Sequence, residues 1–249
     1  MKTALTIAGS DSSAGAGIQA DLRTFNDHGI YGVCAITAVT CQNTVGVNTI
    51  HQVPADIVAS QVEAVVTDIS VSAAKTGMLT NRSVVEVVAQ QITDLRIPSV
   101  VIDPVIVSSS GRRLLDREAV VPLKTKLLPK ATCITPNRME AELLSDRQVT
   151  SLSDARDAAR SIVDLGAGAV VITGGHFHSE NAIDIFFDGH DVIELVRPRL
   201  AQLSAHGTGC IFSAAITAAL AQGQPLPDAV SLAKSYVFEI MQRSIRIGA

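Results

Sequence analysis

Apolar residues along this chain follow two rhythms that alternate from one end to the other. Short β-branched runs predict strands at 4–8, 31–39, 71–76, 100–105, 133–135 and 169–173. Between them, stripes of helical period predict helices near 18–28, 54–69, 82–95, 117–127, 138–144 and 152–165. In the second helix Ile57, Val58, Val62, Val65, Val66 and Ile69 share one face, interrupted only by Gln61, and Pro54 suits a first helical position. Val100-Val101-Ile102 lacks polar alternation, the pattern of a strand covered by helices on both faces.

Strand–helix alternation of this kind predicts an α/β fold with a central, mostly parallel sheet flanked by helices. The exception is the pair of runs 182–187 and 192–196, which flank Asp188-Gly189-His190-Asp191. Asp-Gly between two apolar runs is a hairpin signal, so an antiparallel edge is expected there. Two helices, 208–222 and 226–243, complete the chain. No linker, repeat or shift of composition divides the 249 residues, and the expectation is one domain over 1–249.

Composition narrows the function classes. Apolar residues make up 47% and charged residues 18%, enough for a large core and contrary to disorder. Net charge is −4, and no basic run exceeds Arg112-Arg113, which argues against a nucleic-acid partner. The four cysteines form no C-x-x-C pair, so reduced thiols in the cytoplasm are the simpler reading than zinc or disulfides. No apolar stretch approaches the roughly 20 residues of a membrane span.

Three groups of residues carry candidate chemistry. A glycine-rich turn, Gly9-Ser10-Asp11-Ser12-Ser13-Ala14-Gly15-Ala16-Gly17-Ile18-Gln19-Ala20-Asp21, joins the first strand to the first helix. Gly15, Gly17 and Ala20 satisfy the relaxed dinucleotide fingerprint, yet the second strand ends in Thr40-Cys41-Gln42-Asn43 without the carboxylate a ribose needs. Both a packing turn and a binding loop remain open there. The second group, His206-Gly207-Thr208-Gly209-Cys210, opens an apolar helix. Its glycines let several amides point one way, and with the helix dipole they form an anion site. Cys210 in that first turn is expected to have a lowered pKa. The third group gathers at strand ends: Asp103-Pro104, Thr135-Pro136-Asn137-Arg138-Met139-Glu140, and Gly174-Gly175-His176. An Asp, an Asn and a Glu there could hold Mg²⁺ through waters beside substrate phosphates, so the set reads as a phosphoryl-transfer site. Gln42 can donate and accept towards a heteroaromatic ring, and Met78 offers an adaptable apolar wall.

Six segments appear in order: 8–21, 38–44, Lys75-Thr76-Gly77-Met78-Leu79, Asp103-Pro104-Val105, Ile134-Thr135-Pro136-Asn137 and 206–210. Over about residues 4–240 the chain resembles the hydroxymethylpyrimidine/phosphomethylpyrimidine kinases of thiamine biosynthesis, in the ribokinase superfamily. The resemblance implies a ribokinase-like three-layer fold, MgATP as phosphoryl donor, a small pyrimidine as acceptor and a homodimer. It also implies that Gly9, Asp21, Gln42, Met78 and Val105 form the pyrimidine pocket, and that Gly207, Thr208 and Gly209 cradle the phosphoryl group. Cys210 then orients or deprotonates the attacking hydroxymethyl oxygen, Asn137, Thr173 and Gly175 face the nucleotide, and Asp103 and Glu140 serve the metal. The family pattern has Lys-Gly-Gly-His where this chain has Thr173-Gly174-Gly175-His176, which removes a phosphate-facing ammonium. Pyridoxal kinase and a non-catalytic pyrimidine-binding protein are the alternatives.

Overall fold

A computed structural model describes residues 1–108, 111–174, 180–200 and 207–243. Its strands, in chain order, are β1 (Thr3–Asp11), β2 (Tyr31–Gln42), β3 (Val47–Gln52), β4 (Ala73–Thr76), β5 (Val100–Ile102), β6 (Cys133–Ile134), β7 (Val170–Ile172), β8 (Asn181–Phe187) and β9 (Val192–Pro198). Among the described residues they form one sheet in the order β3-β2-β1-β4-β5-β6-β7-β8-β9. The run from β2 to β7 is parallel, while β3, β8 and β9 pair antiparallel at the two edges. The helices are α1 (Gly17–Asp27), α2 (Ala55–Asp68), α3 (Arg82–Asp94), α4 (Val120–Pro122), α5 (Arg138–Ser145), α6 (Leu152–Asp164), α7 (Thr208–Ala221) and α8 (Leu226–Arg243).

Strand alternation assigns each side chain to one of two helix layers. Leu5, Ile7, Val100, Ile102, Ile134, Val170 and Ile172 pack into a core shared with α2, α3, α5 and α6. Their neighbours Ala4, Val101, Cys133 and Val171 face the other way, towards α1, α7 and α8. Both faces are therefore dry, which is why β1 and β5 lack polar alternation.

The expected hairpin is present as β8–β9, with Gly189 at φ +94° and Asp188 Oδ1 accepting from the amides of His190 and Asp191. A second antiparallel edge, β2–β3, went unread in the sequence. There the Asn43 side chain accepts from the Val45 and Gly46 amides and folds a tight turn. Six exposed or half-exposed residues follow as β3, too polar to register as an apolar run. The helix expected over 117–127 is instead a sequence of short turns: 3-10 at Arg117–Ala119, α4, a π segment at Leu123–Leu127, and 3-10 again at Leu128–Lys130. Pro122 and Pro129 cannot donate to a regular i→i−4 ladder. Strand β5 stops at Ile102 for a similar reason, since Asp103 is followed by Pro104.

Asn81 joins the new edge to the body of the fold. Its Oδ1 caps α3 by accepting from Val84 N at 3.0 Å, and its Nδ2 donates to Gln52 of β3 at 2.7 Å. Asn81→Ala should cost about 1 kcal/mol in urea unfolding, and Asn81→Asp, which keeps the accepting oxygen, should recover most of it. Equal stability of all three proteins would deny the cap its role.

Candidate active site

In an open parallel sheet, side chains can leave the core only at the strand ends, and the carboxyl ends are where ligands bind. Here the carboxyl ends of β1, β2, β4, β5 and β6 open onto one cavity of about 470 Å³. That volume suits a small heterocycle with phosphates attached. A wider depression of about 800 Å³ lies at the starts of α2 and α3. Its Arg82 and Arg117 are offset by Asp56, Asp116 and Glu118, and no glycine-rich loop reaches it.

The floor of the 470 Å³ cavity is the first turn of α7. This helix is buried almost all round, so its position is set by packing against the sheet, α1 and α8. Its cap, Gly207, has φ +80°, and a Cβ there would stand 2.0 Å from the Gly15 carbonyl oxygen. Only glycine fits. Among the described residues no side chain caps the helix at Gly207, and Gly207, Thr208 and Gly209 bring the positive end of the dipole to the cavity.

The first glycine-rich turn behaves differently. Asp11 Oδ1 accepts from Ser13 N at 2.8 Å, Asp11 Oδ2 from Ala16 N at 2.8 Å, and Gln19 Oε1 from Asp11 N at 2.9 Å. A carboxylate of the chain itself thus takes the amides that a dinucleotide phosphate would need. Gly17, at φ +59°, lies so close to the Gly9 carbonyl that its Cβ would stand 2.4 Å from the oxygen. The fingerprint spacing serves close packing here.

Gly9, Gln42, Met78 and Val105 all line the cavity. Gln42 Oε1 accepts weakly from Thr40 Oγ1 at 3.3 Å, and Met78 is held by a 2.5 Å hydrogen bond from Thr37 Oγ1 to its carbonyl. Asn137 and Thr173 meet across a parallel bridge and line the opposite wall. Gly175 lies outside the described residues.

Asp21 does not reach the cavity. Fully buried, it accepts from Thr6 Oγ1 at 2.6 Å and Lys75 Nζ at 2.8 Å. Its place in helix α1 turns it towards the sheet, a direction the loop motif alone did not reveal.

Asp103 and Glu140 both line the cavity. Burial raises the Asp103 carboxyl above the usual aspartate range, opposed by the nearby Lys75 ammonium and by hydrogen bonds from Ser213 and Cys210. Glu140 forms a capping box with Asn137, and its Oε1 accepts from Ile106 N at 3.2 Å. Burial pushes it up to about 8, with Asp103 adding to the effect. Among the described residues no three acidic, His or Cys side chains cluster as a closed metal site. Two carboxylates at a phosphate-sized cavity do fit Mg²⁺ held through waters, which needs only one or two protein carboxylates. Glu140, with both oxygens engaged, suits a contact through water.

Cys210 corrects the sequence expectation. Burial pushes its thiol up to about 12, and Asp103 and Asp21 add to this, outweighing Lys75 and a hydrogen bond from the Gly17 backbone. Proximity to a helix start lowers a thiol pKa only while the thiolate stays solvated and free of nearby carboxylates.

Two features escaped sequence reading. The Lys75-Thr76-Gly77-Met78-Leu79 motif does not by itself reveal the role of Lys75, although a charge inside the apolar strand Ala73–Thr76 is a signal. The segment following Val105 folds back through a Val107–Arg113 bridge and brings Val107, Ser108, Gly111 and Leu114 to the cavity. Arg112 Nη1 ties that segment to the Val47 carbonyl of β3 at 2.7 Å.

A mostly parallel sheet between helix layers, with an uncapped helix start below its strand ends, is the architecture of the ribokinase-like kinases. Residues 11–249 match the phosphomethylpyrimidine kinase family, and the chain belongs to it. It is 42% identical over 247 residues to the hydroxymethylpyrimidine/phosphomethylpyrimidine kinase of Bacillus subtilis, covering 99% of this chain and 91% of that protein. The enzyme of the same name from Synechococcus elongatus is 46% identical, with 98% and 93% covered. Among solved structures, an ADP complex of Bacillus subtilis pyridoxal kinase superposes with a TM-score of 0.93 at 38% identity, covering 100% of this chain and 94% of that one. Phosphomethylpyrimidine kinase from Clostridium difficile 630 gives 0.86 at 38% identity, with 96% and 99% covered. Staphylococcus aureus pyridoxal kinase in complex with AMP-PCP and pyridoxal gives 0.91 at 34% identity, with 100% and 90% covered.

A neutral, enclosed thiol alkylates slowly. With iodoacetamide at mildly alkaline pH, exposed Cys41 should be modified well before Cys210 and buried Cys133, as read by peptide mass spectrometry. Modification of Cys210 as fast as Cys41 would contradict the raised pKa.

Proposed function

We propose that this chain transfers the γ-phosphoryl group of ATP to the hydroxymethyl oxygen of 4-amino-5-hydroxymethyl-2-methylpyrimidine, and then to the monophosphate so formed. The observation that carries this reading is the convergence, on one cavity, of the α7 amides with Gln42, Met78 and Asp103. An anion site, a heterocycle wall and a carboxylate stand together there. Membership of the kinase family and the nucleotide complexes of similar structures support it.

On this reading Gln42 reads the amino and ring-nitrogen edge of the pyrimidine, while Met78, Gly9 and Val105 enclose its apolar parts. The amides of Gly207, Thr208 and Gly209 hold the migrating phosphoryl group, and Asn137 and Thr173, with Gly175, face the nucleotide. Asp103 and Glu140 would hold Mg²⁺ through water, and the ion would supply neutralisation of phosphate charge. Cys210 stands beside the amide fan as a neutral thiol, so it orients the attacking alcohol instead of acting as a resting thiolate. A loose phosphoryl-transfer transition state places little demand on a strong base, and the alcohol proton leaves late. The free thiols suit the cytoplasm, and the homodimer is carried over from the family resemblance alone.

Pyridoxal kinase is the second reading, favoured by the similarity to pyridoxal kinase structures. ADP production with hydroxymethylpyrimidine and pyridoxal in competition separates the two. A larger kcat/KM for the pyrimidine is expected, and a much larger value for pyridoxal would reverse the assignment. Pyrimidine binding with no ADP release from any hydroxymethyl heterocycle would favour a binding protein instead. Cys210→Ala should lower kcat by about 100-fold through lost alignment while leaving pyrimidine affinity nearly unchanged. Thr173→Lys should leave turnover unchanged or improve the use of ATP, and a large loss of ATP affinity in steady-state kinetics would speak against it.

A further inference from the structure

Strand β4 is buried at every position, and its third residue, Lys75, has no solvent exposure. The ammonium reaches three elements. It donates to Asp21 Oδ1 of α1 at 2.8 Å, to Ser213 Oγ of α7 at 2.8 Å and to the Cys210 carbonyl at 3.4 Å. At 3.8 Å lies Asp103 Oδ2, beyond the end of β5. Ser213 Oγ in turn sits 3.1 Å from Asp103 Oδ2 and 3.1 Å from the Gly209 carbonyl. Asp21 is itself fixed from behind by Thr6.

Stability does not account for a lysine at this place. A buried ion pair is commonly matched or bettered by apolar side chains of similar volume, because taking two charges out of water is costly. What the pair does here follows from its other partners. Asp103 and the turn carrying Gly209 and Cys210 line the cavity, whereas Lys75 and Asp21 do not. The ammonium grips from behind two neighbouring groups of the cavity wall, the Asp103 carboxyl and the first turn of α7. Asp21 supplies the counter-charge that lets it stay there.

We propose that Lys75 is a positioning residue for phosphoryl transfer: through Ser213 and the Cys210 carbonyl it sets the α7 amide fan, and through its ion pair it sets the Asp103 carboxylate beside it. The role rests on the kinase reading, since it concerns the alignment of that site. Lys75 touches no substrate, so its loss should act on turnover and leave pyrimidine binding intact.

The test uses the full chain, with kcat from ADP release, pyrimidine Kd from calorimetry and Tm from thermal unfolding. Lys75→Met alone leaves Asp21 buried with its Thr6 hydrogen bond but without a counter-charge, and should lower both Tm and kcat. Asp21→Asn/Lys75→Met removes both charges. Its Tm should recover, while kcat stays roughly 10- to 100-fold below wild type, the scale of a small misalignment. Pyrimidine Kd should not change. A double variant that regains the wild-type kcat along with its Tm would make Lys75 a packing residue and overturn the proposal. Ser213→Ala tests the link should the double variant not fold. It should keep Tm and Kd and lose kcat several-fold, and an undiminished kcat would overturn the proposal equally. Wild-type protein that releases no ADP with any hydroxymethyl heterocycle would instead defeat the kinase reading beneath it.

Discussion

Covering a parallel sheet with helices on both faces leaves the strand ends as the only place where polar side chains can meet a ligand, and this constraint shapes the whole molecule. Leu5, Ile7, Val100 and Ile102 commit one face to the core with α2 and α3, and Val101 and Cys133 commit the other to α7. Gly9, Gln42, Met78, Asp103 and Thr135 then stand side by side at the carboxyl ends because their strands are neighbours. The burial that stabilises the sheet also brings together residues as far as 126 positions apart in the chain, from Gly9 to Thr135.

Within the site, the low dielectric that strengthens a hydrogen bond also penalises an unpaired charge. Glu140 and Cys210 both shift towards their neutral forms for this reason. Lys75 stays charged because the attraction of Asp21, with Cys210 and Asp103, overcomes the cost of its burial. A cavity floor formed by the start of α7, with an ammonium buried behind it and carboxyl groups in the cavity wall, suits an anion that moves between two acceptors. Charge is placed beforehand and little covalent chemistry is asked of the protein.

The two glycine-rich turns look alike in sequence and end in opposite states. In the first, Asp11 and Gln19 consume the polar groups, and Gly17 permits a close approach to Gly9. In the second, no side chain among the described residues caps α7 at Gly207, where a Cβ would stand 2.0 Å from the Gly15 carbonyl oxygen. One turn became a packing device, and the other brings the start of α7 to the cavity, because of which side chains folded back onto the amides. Glycine spacing carries no information about that.

Sequence alone determined the alternation of strands and helices, the two-sided burial, the β8–β9 hairpin and the membership of a kinase family, because each is written in local periodicity or contiguous motifs. Strand β3 and the broken helix near Pro122 were harder to read, since a polar edge strand has no hydrophobic rhythm and prolines fall within an otherwise helical stripe. Only the tertiary structure decided that Asp21 turns inward to Lys75, that the Cys210 thiol is held neutral and that the segment after Val105 folds over the pocket. Each depends on desolvation and on partners more than 50 residues away in most cases, as the 54-residue separation of Lys75 from Asp21 and the 135-residue separation from the Cys210 carbonyl illustrate. Periodicity reports which residues are buried; only the folded chain reports what each buried charge has for company.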